Sequence, residues 1–389
     1  MRTHKIMVVD DEPDLQMLIL QKFRSHIYNN DYEFHFAGNG VEALQLLNKE
    51  KGISLVLSDI NMPEMDGLTL LQKLQENKSD ALKTIIVSAY GDMKNIRKAM
   101  NLGAFDFITK PIDFKDLDRT IRRCLEEIGH EMETRKQKQY LHTMRQDLDM
   151  ASRIQQNILP NNFPAYPERN EFSVYAEMHS AKEVGGDFYD YFLLDDNHLA
   201  FLIGDVSGKG MPAAIYMAVS RTMLKAIATQ AGDPAECLSI VNRMLIPESD
   251  LTTFVTVFYG ILNVRTGVVS YCNGGHNLPL WIKKNGTVVN LENTDGLLLG
   301  KIDYVNFQSK EIQLEAGDKL LLYTDGLTEA MNEREEFYGE DRLMHYVTSN
   351  HTLSDEMLLR CLIVDVFKFI NKAHQGDDIT QLVMEYCGT

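Results

Sequence analysis

Three aspartates in the N-terminal part of the chain stand directly after predicted strands. Asp10 and Asp11 follow the apolar run at residues 5–9, and Asp59 follows the run at residues 55–58. Because the carboxyl ends of parallel strands meet at one edge of a sheet, these carboxylates are expected to share one hard cation, and oxygen ligands favour Mg²⁺. A carboxylate held beside such an ion can attack phosphorus, so Asp59 is the predicted phosphoacceptor.

Two more polar residues stand at the ends of later predicted strands. Ser88 ends the run at residues 84–88, and Lys110 follows the run at 107–108 and precedes Pro111. A hydroxyl and an ammonium in these places can contact phosphoryl oxygens. Any one of these residues alone is typical of a turn or a cap, but all five at the strand ends of one βα unit predict a phosphoryl-transfer site.

A second set of acidic residues lies beside glycine or at predicted loop tips in the C-terminal half. They are Asp187 and Asp190 in GGDFYD, Asp205 in GDVSGKG, Asp325 in YTDGLTEA, and Asp377 and Asp378 in GDDITQL. Carboxylates in one cleft repel one another unless cations neutralise them, and two divalent ions about 3.5–4 Å apart would do this while activating a water toward a phosphoester. Hard oxygen ligands favour Mn²⁺ or Mg²⁺. Each motif alone is typical of a turn, but the four together predict such a site.

The elements that must position these residues fall into two predicted domains. In residues 1–125, short β-rich runs alternate with segments of helical period, which predicts a parallel sheet wrapped by helices. Residues 161–389 mix strands and helices without strict alternation, which predicts an α+β layered domain. Further runs predict strands at 34–37, 200–203, 254–262, 268–273, 280–283, 319–323 and 380–385, and helices at 211–230, 234–244 and 355–371.

A long helix is predicted for the linker between the two domains, residues 126–160. No proline lies between Pro111 and Pro160, and charged residues and glutamine dominate. Two apolar series follow coiled-coil spacing with a break near 135–139: Ile121, Leu125, Ile128 and Met132, then Leu141, Met144, Leu148 and Ala151. The spacing favours a homodimer through the linker, and a helix packed along its own domain is the alternative.

Composition disfavours several classes of protein. The chain has 39 Lys and Arg against 56 Asp and Glu, and the net charge of −17 offers no attraction for nucleic acid. The five cysteines are scattered without Cys-x-x-Cys spacing, which favours a reducing cytoplasm. We find no signal peptide in the sequence and no run of about 18 apolar residues, so no membrane partner is expected.

Residues 4–125 resemble the response-regulator receiver domain through VVDDEPD, SDINMPEMDG, VSAYGD and FITKP. The resemblance implies a doubly wound, flavodoxin-like sheet of five parallel strands. It also implies phosphorylation of Asp59 by a sensor histidine kinase, with Mg²⁺ held by Asp10 or Asp11 together with Asp59. Ser88 and Phe107 are the switch residues that it implies.

Residues 150–386 resemble the PPM-type serine/threonine phosphatases, specifically the bacterial branch that includes the stage II sporulation protein E. The motifs that carry the resemblance are RIQQNILP, EVGGDFYD, GDVSGKGMPAA, GGHNLPL, YTDGLTEA, FYGEDRL and DDITQLVM. It implies a β-sandwich flanked by helices, with two Mn²⁺ or Mg²⁺ ions. The implied ligands are Asp187, Asp205, the Val206 carbonyl, Asp325 and Asp377.

Several residues near these motifs keep two interpretations. Asp190 and Asp378 are adjacent acids to which no metal is assigned. Lys182 resembles a basic phosphate contact of the wider phosphatase family, and a solvated surface lysine is the alternative. His276 in GGHN is as compatible with a turn as with a general acid, so we do not assign it to catalysis.

Together, the two resemblances predict a two-component response regulator whose output dephosphorylates a phosphoserine or phosphothreonine protein. The usual substrates of the branch imply a phosphorylated anti-sigma-factor antagonist as the partner. RIQQNILP at 153–160, where the linker enters the phosphatase domain, is the predicted switch element. The alternatives are a catalytically inactive phosphatase fold that only binds a partner, and a diguanylate cyclase, because GGDF at 185–188 resembles the cyclase signature GGDEF although Tyr189 replaces the second acid.

Overall fold

The computed structural model describes residues 3–76, 82–89, 91–249 and 252–388, so Tyr90 of the VSAYGD motif lies outside the described residues. The chain forms two compact units, Met1–Thr143 and Met144–Thr389. Among the helices of the described residues, none combines the length and the apolar character needed to cross a membrane.

The N-terminal unit is a doubly wound parallel sheet, as the sequence predicted. Its strands are β1 (His4–Val9), β2 (Tyr32–Ala37), β3 (Ile53–Asp59), β4 (Lys83–Ala89) and β5 (Asp106–Lys110), in the order β2-β1-β3-β4-β5. Its helices are α1 (Pro13–Lys22), α2 (Arg24–Tyr28), α3 (Gly40–Lys49), α4 (Gly67–Glu76), α5 (Met93–Asn101) and the start of α6 (Phe114–Ile158). Six of the seven residues of β3 are buried, as expected for a parallel strand covered by helices on both faces.

Helix α6 is continuous over 45 residues, which agrees with the long helix predicted for the linker, so the change in apolar spacing near 135–139 does not interrupt the backbone. The coiled-coil interpretation is wrong for the first apolar series. Ile121, Leu125 and Ile128 are buried in the core of the N-terminal unit, and Met132 packs against that core. Spacing of three and four residues marks one apolar face but does not say what covers it, and here the helix's own sheet does.

The C-terminal unit contains two five-stranded antiparallel sheets. One has the order β13-β10-β9-β8-β7 and the other β12-β11-β14-β15-β6. The strands are β6 (Phe172–His179), β7 (Phe188–Asp195), β8 (His198–Val206), β9 (Val255–Asn263), β10 (Val268–Gly274), β11 (Leu280–Ile282), β12 (Val288–Asn290), β13 (Lys310–Gln313), β14 (Asp318–Tyr323) and β15 (Ile379–Tyr386). The helices are α7 (Met211–Ala228), α8 (Pro234–Leu245), α9 (Asp325–Thr328), α10 (Glu340–Ser349) and α11 (Asp355–Ile370), with a 3-10 turn at Ile246–Glu248.

Alternation along β15 shows how the layers pack. Leu382 and Met384 belong to the core cluster that includes the other sheet and helices α7 and α8. Ile379 and Val383 belong to the cluster formed with α11. Because successive strand residues point to opposite faces, β15 contacts one layer on each side. The unit is therefore a β-sandwich flanked by helices, which confirms the predicted fold class.

Candidate functional sites

The predicted cation site of the N-terminal unit lies at the carboxyl ends of β1 and β3. Asp10 and Asp59 are buried, Asp11 is exposed, and one carboxylate oxygen from each lies within 4.8 Å of the others. Strands β1 and β3 are hydrogen-bonded neighbours, which is why residues 49 positions apart meet here. A side chain on Gly67 of the MDG sequence would place its Cβ 2.0 Å from the Asp59 carbonyl oxygen, so this turn requires glycine.

Lys110 supplies a positive charge to the same site. Its Nζ lies 3.0 Å from Asp10 Oδ2, 2.8 Å from Asp59 Oδ2 and 2.9 Å from Glu12 Oε1. Burial lowers the pKa of Lys110, but the hydrogen bonds to Asp59, Glu12 and Asp10 outweigh burial and raise the pKa above its ordinary value. Burial also raises the pKa of Asp10. Glu12, which the sequence analysis did not single out, thus belongs to the charge balance of the site.

The two proposed switch residues lie on the strands beside Asp59. Ser88 is fully buried in β4, next to β3, and among the described residues its hydroxyl has no hydrogen-bond partner. Phe107 on β5 is half-buried and packs against a small core cluster that includes Ile86 and Leu71. The Ser88 hydroxyl is therefore in a position to bond a group brought to the strand ends.

The acids of the C-terminal unit come from both sheets of the sandwich. Asp187 precedes β7 and Asp205 lies in β8, whereas Asp325 begins α9 after β14 and Asp377 precedes β15. The Thr324 hydroxyl donates a 2.7 Å hydrogen bond to Asp187 Oδ2, which joins the two sheets at the site. The charge of Asp205 acts on Asp187, and the charges of Asp325 and Asp377 act on Asp205, so the four predicted aspartates lie within electrostatic range of one another.

Burial and neighbouring carboxylates raise the pKa values of Asp187, Asp205 and Asp325. Burial, followed by the charges of Asp205 and Asp378, raises the pKa of Asp187 well above its ordinary value. Burial, followed by the charge of Asp325, raises the pKa of Asp205 to about 7. Burial and neighbouring carboxylates likewise raise the pKa of Asp325. Within the described part of the chain, no three of these acids offer oxygens within 4.8 Å of one another, so their charges are spread more widely than in the N-terminal site.

Asp378 and Asp190, the acids without an assigned metal, have different surroundings. Asp378 is buried, and its two oxygens accept hydrogen bonds from the backbone N–H groups of Ala181 (2.8 Å) and Gly186 (2.7 Å). Asp190 is fully buried but pairs with Arg221 of α7, at 2.7 Å, and with Lys225, at 3.4 Å. Asp378 therefore holds the segment before Asp187, whereas Asp190 is paired away from the other acids.

The two residues before Asp187, Gly185 and Gly186, are packed so closely that neither position has room for a side chain. The Val206 carbonyl oxygen would lie 2.6 Å from a Cβ on Gly186, so this carbonyl is directly beside the Asp187 segment. A Cβ on Gly185 would lie 2.1 Å from Asp378 Oδ2. The two glycines of EVGGDFYD are thus required by close backbone approach.

Two lysines have different relations to this acidic site. Lys182 is exposed and lines a cavity of about 570 Å³ together with His179 and Gln375. Lys209 Nζ lies 2.8 Å from Asp377 Oδ2. The sequence analysis did not single out Lys209, although its position in GDVSGKG, between Asp205 and the start of α7, was a usable signal.

His276 has the surroundings of a structural histidine. It is buried, its Nδ1 lies 2.9 Å from Thr256 Oγ1, and its backbone N–H donates to Asn273 Oδ1. Burial lowers its pKa to about 4, so the imidazole is neutral near pH 7. This geometry supports leaving His276 out of the catalytic residues.

The fold and the two acidic sites are those of a receiver-type unit followed by a phosphatase-type sandwich. Residues 6–122 match the response regulator receiver domain, and residues 195–386 match the stage II sporulation protein E (SpoIIE) family. The chain belongs to the response regulators, and the match of its C-terminal part to the SpoIIE family supports a protein serine/threonine phosphatase domain there. Both predicted resemblances are confirmed.

Individual relatives each cover part of the chain. Sporulation initiation phosphotransferase F of Bacillus subtilis is 30% identical over 126 residues, which are 32% of the chain and 96% of that protein. Phosphoserine phosphatase RsbU of Bacillus subtilis is 26% identical over 242 residues, which are 62% of the chain and 70% of RsbU. Protein IcfG of Synechocystis sp. is 29% identical over 267 residues, which are 62% of the chain and only 41% of IcfG.

A solved structure shares the fold of the phosphatase domain. The SiaA-PP2C domain of Pseudomonas aeruginosa gives a TM-score of 0.57 with 20% identity, over 64% of this chain and 98% of that domain. This similarity concerns the fold alone.

Proposed function

We propose that this chain is a two-component response regulator, phosphorylated on Asp59, that controls metal-dependent dephosphorylation of a phosphoserine or phosphothreonine protein. One observation carries the proposal: burial and neighbouring carboxylates raise the pKa values of Asp187, Asp205 and Asp325, which come from both sheets of the sandwich. Carboxylates that repel one another in a partly buried site are suited to binding multivalent cations.

The receiver step uses Asp59 as the nucleophile. A sensor histidine kinase is the phosphoryl donor, and Asp10, Asp11 and Asp59 hold Mg²⁺ through oxygens that already lie within 4.8 Å of one another. Bound Mg²⁺ supplies positive charge to the phosphoryl group. Lys110 and the free Ser88 hydroxyl are placed to bond phosphoryl oxygens.

The phosphatase step uses two divalent ions, Mn²⁺ or Mg²⁺. The proposed ligands are Asp187, Asp205, the Val206 carbonyl, Asp325 and Asp377, and the oxygen-only donor set fits hard cations. Bound ions supply charge neutralisation and lower the pKa of water for attack on phosphorus. Asp378 positions Asp187 through the backbone, and Lys182 stays a predicted phosphate contact. Lys209, beside Asp377, is a second candidate for that contact.

A phosphorylated anti-sigma-factor antagonist is the proposed substrate. The similarity to the phosphoserine phosphatase RsbU supports a phosphoserine protein as the substrate class. The proposed compartment is the cytoplasm, which the five free cysteines support. A homodimer through the linker is proposed from the second apolar series of α6, in which Leu141 is 63% and Met144 49% exposed.

Phosphorylation of Asp59 is proposed to act on the phosphatase through α6 and the RIQQNILP segment at its end. The phosphatase rate is expected to change when an acyl-phosphate mimic is added to the full chain. Equal rates with and without the mimic would remove this coupling and leave the phosphatase proposal intact.

The deciding experiment is phosphate release from candidate phosphoproteins with Mn²⁺. Wild type is compared with Asp205→Asn, Asp325→Asn and, as a matched control, Asp303→Asn at an exposed position. We expect activity in wild type and the control only. Full activity in Asp205→Asn or Asp325→Asn would contradict the metal assignment. Binding of a phosphoprotein without hydrolysis would support the inactive module, and cyclic dinucleotide made from GTP would support the cyclase.

A further inference from the structure

The side chain of Gln155, at the end of α6, is bonded to the segment that carries Asp187. Gln155 Nε2 donates a 2.7 Å hydrogen bond to the Gly185 carbonyl, and the Gly185 N–H donates a 3.1 Å hydrogen bond to Gln155 Oε1. Both residues are buried, and Gln155 is only 6% exposed. One side-chain amide therefore satisfies both the N–H and the carbonyl group of Gly185. Because these groups are buried, a water molecule could take the place of the amide only if the surrounding packing opened.

Gly185 is linked to the proposed metal site by the backbone and by hydrogen bonds. It stands two residues before Asp187, and the next N–H along, that of Gly186, donates to Asp378 Oδ2 at 2.7 Å. The absent side chain of Gly185 leaves Asp378 in direct contact with the backbone. A shift of Gly185 must therefore disturb the hydrogen bonds of Asp378 and the position of Asp187.

The end of α6 that carries Gln155 is fixed to the phosphatase core. Leu159, one helical turn further on, is buried in that core, and the Tyr189 hydroxyl donates a 2.9 Å hydrogen bond to the Pro160 carbonyl. Leu159 lies just past the end of α6, and its N–H donates to the Gln155 carbonyl at 3.4 Å, whereas Gln156 is exposed. The chain thus provides two adjacent glutamines, of which only Gln155 has this role.

We propose that Gln155 is a positioning residue that sets the metal affinity of the phosphatase site by holding Gly185, and through it Asp187. It is the point at which a displacement of α6 reaches a metal ligand. This inference deepens the proposed function and rests on it, because it assumes that Asp187 binds a divalent ion.

The test compares Gln155→Leu with Gln156→Leu in the full chain. Gln155→Leu leaves both backbone groups of Gly185 without partners. We expect Mn²⁺ affinity, measured by calorimetry, to weaken by about 10-fold, the lower end of losses seen when a group supporting a metal ligand is removed. Hydrogen exchange of metal-free peptides covering residues 180–187 should accelerate, while peptides of β9 stay unchanged. Gln156→Leu should match wild type in both measurements.

The Mn²⁺ concentration for half-maximal activity and kcat together distinguish a positioning role from a general loss of structure. In Gln155→Leu, the Mn²⁺ concentration for half-maximal activity should rise about 10-fold, and kcat at saturating Mn²⁺ should stay within about twofold of wild type. Gln155→Glu keeps an acceptor for the Gly185 N–H but, when ionised, cannot donate to the carbonyl. It should also weaken Mn²⁺ binding, and it serves as the test if Gln155→Leu does not fold.

The outcomes distinguish the two proposals. Wild-type Mn²⁺ affinity and wild-type exchange in a folded Gln155 variant would overturn the positioning role while leaving the phosphatase intact. Weakened Mn²⁺ binding in a chain that hydrolyses no phosphoprotein would support the positioning role and overturn the proposed function. Acceleration of exchange throughout the unit would also overturn the positioning role, because the effect would then be general destabilisation.

Discussion

The two acidic sites of this chain balance their negative charge in different ways. In the receiver, Lys110 lies within 3.0 Å of Asp10 and Asp59, so a resident cation partly neutralises the closely spaced acids. In the phosphatase domain, Lys209 contacts Asp377, whereas burial and mutual charge raise the pKa values of Asp187 and Asp205. Residue type alone therefore does not define a metal site, because the available counter-charge decides how strongly the carboxylates need an ion.

Each arrangement suits its chemistry. A phosphoacceptor site must bind and release a phosphoryl group repeatedly, and a fixed lysine keeps the acids together when no ion is bound. A hydrolytic site gains from ions that are held tightly, and repelling carboxylates bind them more strongly than neutralised ones do.

The largest effect is expected from loss of metal binding at the phosphatase site. Asp325→Asn, or a chelator added to wild type, should reduce phosphate release by more than about 100-fold, because removing a mere supporting group of a metal ligand can cost up to that factor. Asp59→Asn should keep the basal rate. Phosphate release measured in parallel on both variants checks these two expectations. If wild type kept half of its activity in chelator, the phosphatase site would not depend on metal ions as proposed.

Loss of the positive charge of Lys110 should lower the stability of the receiver. Lys110→Met leaves the buried carboxylates of Asp10 and Asp59 without their partner, at a cost of about 2 kcal/mol in the free energy of unfolding. Lys83 is the matched control, since its side chain is equally exposed (24%) but pairs with the exposed Glu127 and Glu131. Lys83→Met should cost less than about 1 kcal/mol.

Urea unfolding of the full chain measures both variants. Added Mg²⁺ should recover part of the loss in Lys110→Met, because the ion restores positive charge to the same oxygens. Equal destabilisation of the two variants would show that Lys110 is not a special counter-charge.

The pH dependence should differ between metal-free and metal-bound protein. The pKa of Asp205 is raised from 3.8 to about 7 in the folded chain. Its contribution to stability is therefore present below about pH 4 and is lost as pH rises through 7. Protons also compete with Mn²⁺, so the Mn²⁺ affinity should fall as pH is lowered below 7, by a factor that approaches about 10 per pH unit below about pH 6.

Thermal unfolding in chelator and Mn²⁺ titrations between pH 5 and 8 measure these two effects. Asp205→Asn should remove the pH dependence of stability that belongs to this group. A Mn²⁺ affinity independent of pH across this range would argue against Asp205 as a ligand.

The smallest effect concerns the contact with substrate phosphate. Lys209→Met should raise the KM for a phosphoserine protein about fivefold, equivalent to about 1 kcal/mol for a partly exposed charge contact. Lys182→Met is the matched comparison and should change KM by less than twofold if Lys209 makes the contact. Steady-state kinetics decides between the two lysines, and the reverse result would restore the assignment made from sequence.

Much of the fold was predictable because its strands are buried apolar runs. Predicted and observed strands agree to within about two residues at one end or both for ten strands: the five receiver strands and β8, β9, β10, β14 and β15. Strand β7 was not predicted, since Asp190 interrupts FYDYFLLD and its partner Arg221 lies on a distant helix. Strands β12 and β13 were missed because they are short and mostly exposed, without an apolar run.

The sequence pointed to the acids of both sites and to Ser88 and Lys110 of the receiver. Glycine beside aspartate marks a loop that approaches something closely, and the motifs located Asp187, Asp205, Asp325 and Asp377. Gln155 and Glu12 were not recognisable, because their partners lie 30 and 98 residues away in the sequence. The linker shows the same limit: the apolar series from Ile121 has coiled-coil spacing but packs on its own sheet. Periodicity reports an apolar face and not its neighbour.

In the proposed phosphatase site, acids from both sheets hold a pair of divalent ions. Crystals grown with Mn²⁺ and measured at the manganese absorption edge would locate the ions by anomalous scattering. We predict two neighbouring peaks bounded by Asp187, Asp205, Asp325 and Asp377. A single peak, or peaks apart from these carboxylates, would contradict the account.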